Sequence, residues 1–193
     1  MKLIYAIAIS LLAFGAKSQK YKPHLANPAA PRNVAHSLGP LQNNSKSCPG
    51  ELIKDFEFPH LIIPIDSEAP AVARGTSYNG TITPTVSSIF NFDIPYASQG
   101  LTCDLWFLFP ERKYLFSGDG MVKFSRLAAP AMLTTSYANS PVVQEELQST
   151  TLIPGQKYNV TSFECPAGQA IAFRMDSAGS TELNYFQDFN NPP

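Results

Sequence analysis

Hydrolysis by a pair of carboxylates is the chemistry for which this sequence offers the most candidate groups. Asp93 and Asp104 flank a turn-rich segment and could sit on neighbouring strands, and Asp119 lies in the glycine turn Ser117-Gly118-Asp119-Gly120, where a carboxylate could be exposed. A reaction of this kind needs one carboxyl held protonated beside an ionised partner, spaced for a nucleophile or a water. Outward strand positions and turn formation account for all three residues more simply, so no catalytic residue is assigned. The other reactive patterns are missing from the sequence. The three histidines, His24, His36 and His60, include no two at metal-ligand spacing, so no metal and no cofactor is expected. His60, beside Pro59 at the start of a strand, reads as structural. Neither a Gly-x-Ser-x-Gly elbow nor a phosphate-cradling glycine loop is present.

Aromatic side chains are the better lead to a ligand. Trp106, Tyr78, Tyr96, Tyr114, Tyr137 and Tyr185 offer flat apolar faces with polar rims, the surface on which a sugar ring stacks. Tyr78 and Tyr96 lie near turns and Trp106 is the sole tryptophan, so these three are the candidate ligand-contacting residues, with core packing in a central strand as the competing reading of Trp106.

These groups are placed by a chain with three segments. Lys2, the apolar run Leu3 to Gly15 and the small residues Ala16 and Ser18 before Gln19 have the order of a signal peptide. The run is shorter than the roughly 20 residues that a membrane-spanning helix needs. Removal of residues 1–18 leaves Gln19 first, which disfavours a copper site built on an N-terminal histidine. No later segment is apolar for long enough to span a bilayer, and the last residues, Asp188 to Pro193, lack the hydrophobic tail of a lipid-anchor signal. The mature protein is therefore expected to be soluble and extracellular, without a membrane anchor. The sequons at Asn43, Asn79 and Asn159 are its candidate glycosylation sites.

Residues 19–50 hold five prolines and no sustained apolar period, the composition of an extended, disordered leader. Lys20, Lys22, Arg32 and Lys46 make it basic, whereas residues 51–193 carry eight basic against fifteen acidic residues, a net charge of −7. An acidic domain repels phosphate backbones, and four dispersed cations make no nucleic-acid patch.

In residues 51–193 the apolar period is two. Phe90, Phe92 and Ile94 share one face of a strand, with Asn91 and Asp93 on the polar face. In Thr102 to Pro110 both faces are mostly apolar, as in a central strand. Leu61 to Ile65, Met121 to Leu127, Tyr158 to Cys165, Ala170 to Met175 and Glu182 to Phe186 are further strands, separated by turn signals such as Asn79-Gly80 and Pro154-Gly155. No helix of comparable strength is expected after residue 50, and Val143 to Leu147 is at most one or two helical turns. Short strands joined by Gly, Pro and Asn predict a single all-β domain, an antiparallel β-sandwich of jelly-roll or Greek-key type. Export permits disulfides, and three cysteines leave one unpaired. Cys103 and Cys165 fall in strands while Cys48 lies in the leader, so the first two are the expected pair; a bridge from Cys48 to either stays open.

In order along the chain stand Phe58-Pro59-His60-Leu61-Ile62-Ile63-Pro64-Ile65, Gly75-Thr76-Ser77-Tyr78-Asn79-Gly80, Ser88-Ile89-Phe90-Asn91-Phe92-Asp93-Ile94-Pro95, Cys103-Asp104-Leu105-Trp106-Phe107-Leu108-Phe109-Pro110, Cys165-Pro166-Ala167-Gly168 and Leu183-Asn184-Tyr185-Phe186-Gln187-Asp188. This series resembles the fungal ubiquitin 3 binding protein But-two C-terminal-domain family from residue 56 onward. The resemblance implies a fungal, frequently secreted, β-rich domain. It also implies a short Gly-Leu-Tyr-like strand after the prolines; the sequence stops at Pro193, so that strand is expected to be missing. The family name points to an intracellular ubiquitin-like pathway, from which a signal peptide separates this chain.

Taken together, these features predict a secreted, non-catalytic protein of the cell wall or cell surface that contacts polysaccharide or another surface glycan. Two alternatives stay open: a secreted polysaccharide hydrolase using paired carboxylates, and a purely structural surface protein. A groove with two close carboxylates marks the first, exposed aromatics the glycan binder, and neither the structural protein.

Overall fold

The computed structural model describes residues 4–10, 56–109 and 114–187, with side chains for all of these except 4–10 and Tyr114. They belong to one structural unit, Met1–Leu12 with Cys48–Pro193. His24, His36, Asn43, Cys48, the whole of the leader and the expected cleavage site lie outside the described residues.

Wherever apolar residues alternate, the backbone is extended. The strands are β1 (Ile4–Ser10), β2 (Phe56–Glu57), β3 (Leu61–Asp66), β4 (Asn79–Ile82), β5 (Val86–Asp93), β6 (Thr102–Phe109), β7 (Tyr114–Ser117), β8 (Met121–Leu127), β9 (Val143–Thr151), β10 (Gln156–Glu164), β11 (Ala170–Ser177) and β12 (Glu182–Phe186). Among the described residues the sole helical feature is a 3-10 turn at Tyr96–Ser98. The strands make a four-stranded sheet, β10-β6-β1-β2, a five-stranded sheet, β3-β5-β11-β8-β9, and a three-stranded sheet, β4-β12-β7. The result is a sandwich-like, all-β domain. All pairings are antiparallel except the two made by β1, which runs parallel to both β6 and β2.

The interior-facing residues of the sheets meet in one core. Phe90 and Phe92 of β5, Cys103, Leu105, Phe107 and Phe109 of β6, Phe124 of β8, Phe173 of β11 and Tyr185 of β12 are all buried in it. The Phe107 ring lies 5.7 Å from Tyr185, 5.9 Å from Phe109 and 6.0 Å from Phe124, centroid to centroid. These tilted and edge-on contacts are the arrangement that ring quadrupoles favour. Gly80 lets β4 approach this cluster: a Cβ there would come within 2.4 Å of the Tyr185 ring. Tyr185, grouped by sequence with the possible sugar platforms, is thus a core residue, only 1 % exposed.

Three local expectations give way to the structure. Val143–Thr151 is strand β9 rather than helical turns, pairing with β8 at the rim of the five-stranded sheet. Its run of Gln144, Glu145, Glu146 and Gln148 suits an edge, where charge discourages further strand pairing. Asn79-Gly80 is not a turn but the start of β4. Asn91, read as facing solvent, is 2 % exposed, because the chain from 128 to 142 folds over the outer face of the sheet. Its amide donates to the Ala131 carbonyl at 2.8 Å and accepts from the Ala131 N–H at 3.0 Å. On this covered face Ile63, Ile65, Ile89, Leu127, Ala131 and Ala172 form a second apolar cluster.

Candidate functional site

The sandwich separates the three candidate carboxylates. Asp93 follows Phe92 on β5 and faces away from the main core, its Oδ2 3.2 Å from His60 Nδ1. Asp104 alternates with the core residues Cys103 and Leu105 on β6 and so faces outward from the other sheet, where it accepts a hydrogen bond from Ser162 Oγ. The two therefore point in opposite directions from sheets packed roughly 10 Å apart. Asp119 is far from Asp93, since Asp93 pairs with Ala170 at one end of β11 and Asp119 bonds the turn after Ser177 at the other. Seven residues of strand at about 3.3 Å each put those ends more than 20 Å apart, well beyond the roughly 5–9.5 Å that separates the carboxyls of glycosidases. No cluster of three or more His, Cys, Asp or Glu positioned for a metal occurs among the described residues.

Each of these aspartates has a structural partner, and Asp119 has the most. Its Oδ1 accepts from the Met121 N–H at 3.0 Å and from Thr181 Oγ1 at 2.9 Å, and its Oδ2 accepts from the Ser180 N–H at 3.1 Å. Gly118 is required here: at φ +84° it adopts a left-handed conformation, and a Cβ would fall 2.1 Å from the Ser180 carbonyl. The Met121 N–H, then Ser180 and Thr181, hold the Asp119 carboxyl below its ordinary pKa of 3.8. Because the folded value lies below the unfolded one, the carboxylate's contribution to stability is complete above 3.8 and is lost as pH falls through the folded pKa. In Asp119→Asn the neutral amide does not titrate, so the fall in Tm on acidification below about pH 4 should be shallower than in the wild type. An identical acid limb would refute this.

Two of the three candidate aromatics share one end of the sandwich. The Ser77 N–H donates to the Ile62 carbonyl at the start of β3, and Leu61 pairs with Asn91 near the end of β5. Tyr78 and Tyr96, which follow Ser77 and β5 respectively, are therefore carried at the same end. They are 64 % and 81 % exposed. The Tyr96 ring rests against Gly168, where a Cβ would lie 2.3 Å from it. Glycine at that position lets the backbone support one face of the ring. Tyr137 is 45 % exposed on the segment that covers the five-stranded sheet.

Trp106 lies elsewhere, on the outer face of β6. It is half-buried rather than part of the core, with Lys157 Nζ 5.7 Å from its ring centroid. Its cross-strand partner is Asn159, which is exposed. Asn79 is in a different setting: its amide donates to Asn184 Oδ1 at 2.9 Å, and Asn184 in turn donates to Thr81 Oγ1 at 2.8 Å.

A groove of about 330 Å³ runs over the three-stranded sheet between Thr81, Thr83, Leu115, Ser117, Glu182 and Asn184. Sequence reasoning missed it, because β4 reads as a turn and β7 is a four-residue strand without a clear alternation. Leu115, 75 % exposed, lies with Phe116 and Leu183 along the groove, whose lining is mainly apolar.

Cys103 and Cys165 form a disulfide with their Cα atoms 5.0 Å apart. It ties the start of β6 to the residue that follows its neighbour β10, at the end of the sandwich that carries Tyr96. Among the described residues no helix is long and apolar enough to cross a membrane.

Comparison with protein families matches residues 57–191, more than half of the chain, to the family described as the ubiquitin 3 binding protein But2 C-terminal domain. No curated protein matches the chain.

Proposed function

The chain belongs to the But2 C-terminal domain family, and from that premise we propose that it is an exported, surface- or wall-associated protein that binds a glycan without cleaving it. The observation that carries this reading is the pair Tyr78 and Tyr96, both exposed at one end of a disulfide-linked sandwich whose candidate carboxylates point apart. Export is supported by the order of charge, apolar run and small residues at the N-terminus. Removal of residues 1–18 would take β1 from between β6 and β2 and leave the protein starting at Gln19. The mature protein carries N-linked sugar in this reading, and its fungal origin rests on the resemblance alone.

The test is retention of the secreted protein on insoluble glucan or chitin. Tyr96→Ala removes a ring whose stacking is worth about 0.5–1.5 kcal/mol, so binding should weaken about twofold to tenfold. Raising salt should matter little, because stacking is not an ion-pair effect. Unchanged retention in Tyr96→Ala and Tyr78→Ala, or strong salt sensitivity, would sink the stacking reading.

A second reading is favoured by the place of β1 and by the family's description as ubiquitin 3 binding. Once β1 departs, the edge of β6 is free to accept an extended apolar segment of a partner protein in the parallel register that Ile4–Ser10 occupies. Failure of the mature protein to be retained on any glycan would favour this alternative.

A further inference from the structure

Two of the sequons fall on described strands, and the fold treats them differently. The Asn79 amide nitrogen is engaged in the Asn79, Asn184, Thr81 chain of hydrogen bonds on the three-stranded sheet. Asn159 is exposed on β10 and pairs with Trp106 of β6 beside a β-bulge, where the antiparallel register shifts between Asn159 and Thr161. Residues opposite one another in such a pair share a face of the sheet, with Cβ atoms about 5 Å apart. Two further contacts fix that face as the outer one: Lys157 reaches over the Trp106 ring, and Ser162 bonds Asp104. A half-buried indole beside a lysine ammonium and an exposed sequon asparagine is therefore available from outside the sheet.

We propose that Asn159 carries an N-linked glycan whose first N-acetylglucosamine stacks on Trp106, so that Trp106 is the seat of the protein's own sugar rather than part of the ligand site at Tyr78 and Tyr96. The chemistry is complementary. A pyranose ring presents axial C–H groups to an aromatic face, and its acetamide can bond to a neighbouring cation such as Lys157. The side chain of an asparagine places the first sugar next to its own position on the strand, and the cross-strand neighbour at about 5 Å is the residue within reach. The part of the half-buried indole that remains exposed is thereby covered. The inference rests on the export proposed above, since attachment requires passage through a secretory lumen.

Trp106 is the sole tryptophan, so its emission reports on this position without interference. The experiment takes the protein secreted into culture medium, sequences its N-terminus, and maps its glycopeptides. One portion is then trimmed by an endoglycosidase that leaves the first N-acetylglucosamine, and another is stripped completely by an amidase. Asn159 should be occupied. Trimming should leave the tryptophan emission and Tm unchanged, while stripping should shift the emission to the red and lower Tm by about 2–4 °C. Because the amidase leaves aspartate where the glycosylated asparagine stood, Asn159→Asp should match the stripped protein, and Asn159→Gln should show the same loss of the sugar without the added charge. In Trp106→Ala, which is compared only with its own stripped form, stripping should no longer move Tm. A secreted protein beginning at Gln19 with Asn159 unoccupied, or one whose emission ignores stripping, overturns the inference alone. Intact Met1 with no sugar at any position overturns the export reading along with it.

Discussion

Replacing Cys103 and Cys165 together by alanine should lower the free energy of unfolding by about 4 kcal/mol in the chain-entropy account of a bridge with this loop length. The bond joins residues 62 apart in sequence, and both cysteines belong to the main core. In the unfolded chain it removes the many conformations in which β6 and β10 are far apart. In the folded one these strands are already neighbours, so the crosslink constrains mainly the unfolded state. Set against a typical total of about 5–15 kcal/mol, the loss is large, and at about 2–4 °C per kcal/mol it amounts to a fall in Tm near 8–16 °C. Denaturant unfolding of the oxidised wild type and the double variant measures it. A difference below about 1 kcal/mol, well short of the loop-closure value, would show that the bridge is not the staple described here. Non-reducing peptide maps of the secreted protein should contain the Cys103–Cys165 pair and no bridge to Cys48.

Asn91→Ala should cost about 2–6 kcal/mol, because two buried backbone groups lose their partner at once and each unsatisfied group costs about 1–3 kcal/mol. The Asn91 amide is the device that pins Ala131, and with it the segment 128–142, over the outer face of the five-stranded sheet. Its loss should also raise hydrogen exchange at the Ala131 N–H. Asn91→Asp provides a control: it keeps the acceptor for that N–H but sets a carboxylate oxygen against the Ala131 carbonyl. Both variants should be strongly destabilised. A cost below about 1 kcal/mol for Asn91→Ala would mean that water satisfies Ala131 equally well.

Asn91 also marks the boundary of what the sequence discloses. The alternation of Phe90, Asn91, Phe92 and Asp93 identifies a strand and its core face, and β5 is present with that face inward. Alternation cannot say whether the polar face meets water or another stretch of chain, and here 128–142 covers it. The long strands β3, β5, β6, β8, β10, β11 and β12 are legible because they combine period two with β-branched and aromatic residues. β4 is hidden by Asn79-Gly80, a strong turn signal overridden by the Tyr185 ring that needs a glycine beneath it. β9 is hidden because an edge strand rich in Glu and Gln resembles a helical surface. The site follows the same division. Exposure of Tyr78 and Tyr96 near turns was legible, whereas the register that sets Trp106 opposite Asn159 depends on long-range pairing that no local pattern encodes.

The central claim, glycan binding without cleavage, is tested most directly by incubating the secreted, glycosylated protein with insoluble glucan and chitin and measuring the fraction retained and the sugars released from the same tubes. Saturable retention on at least one of them with no soluble sugar above the protein-free control is the expected result. Release of soluble sugar that grows with protein concentration and disappears in Asp93→Asn or Asp104→Asn would contradict the account, since those carboxylates face away from one another on opposite sheets.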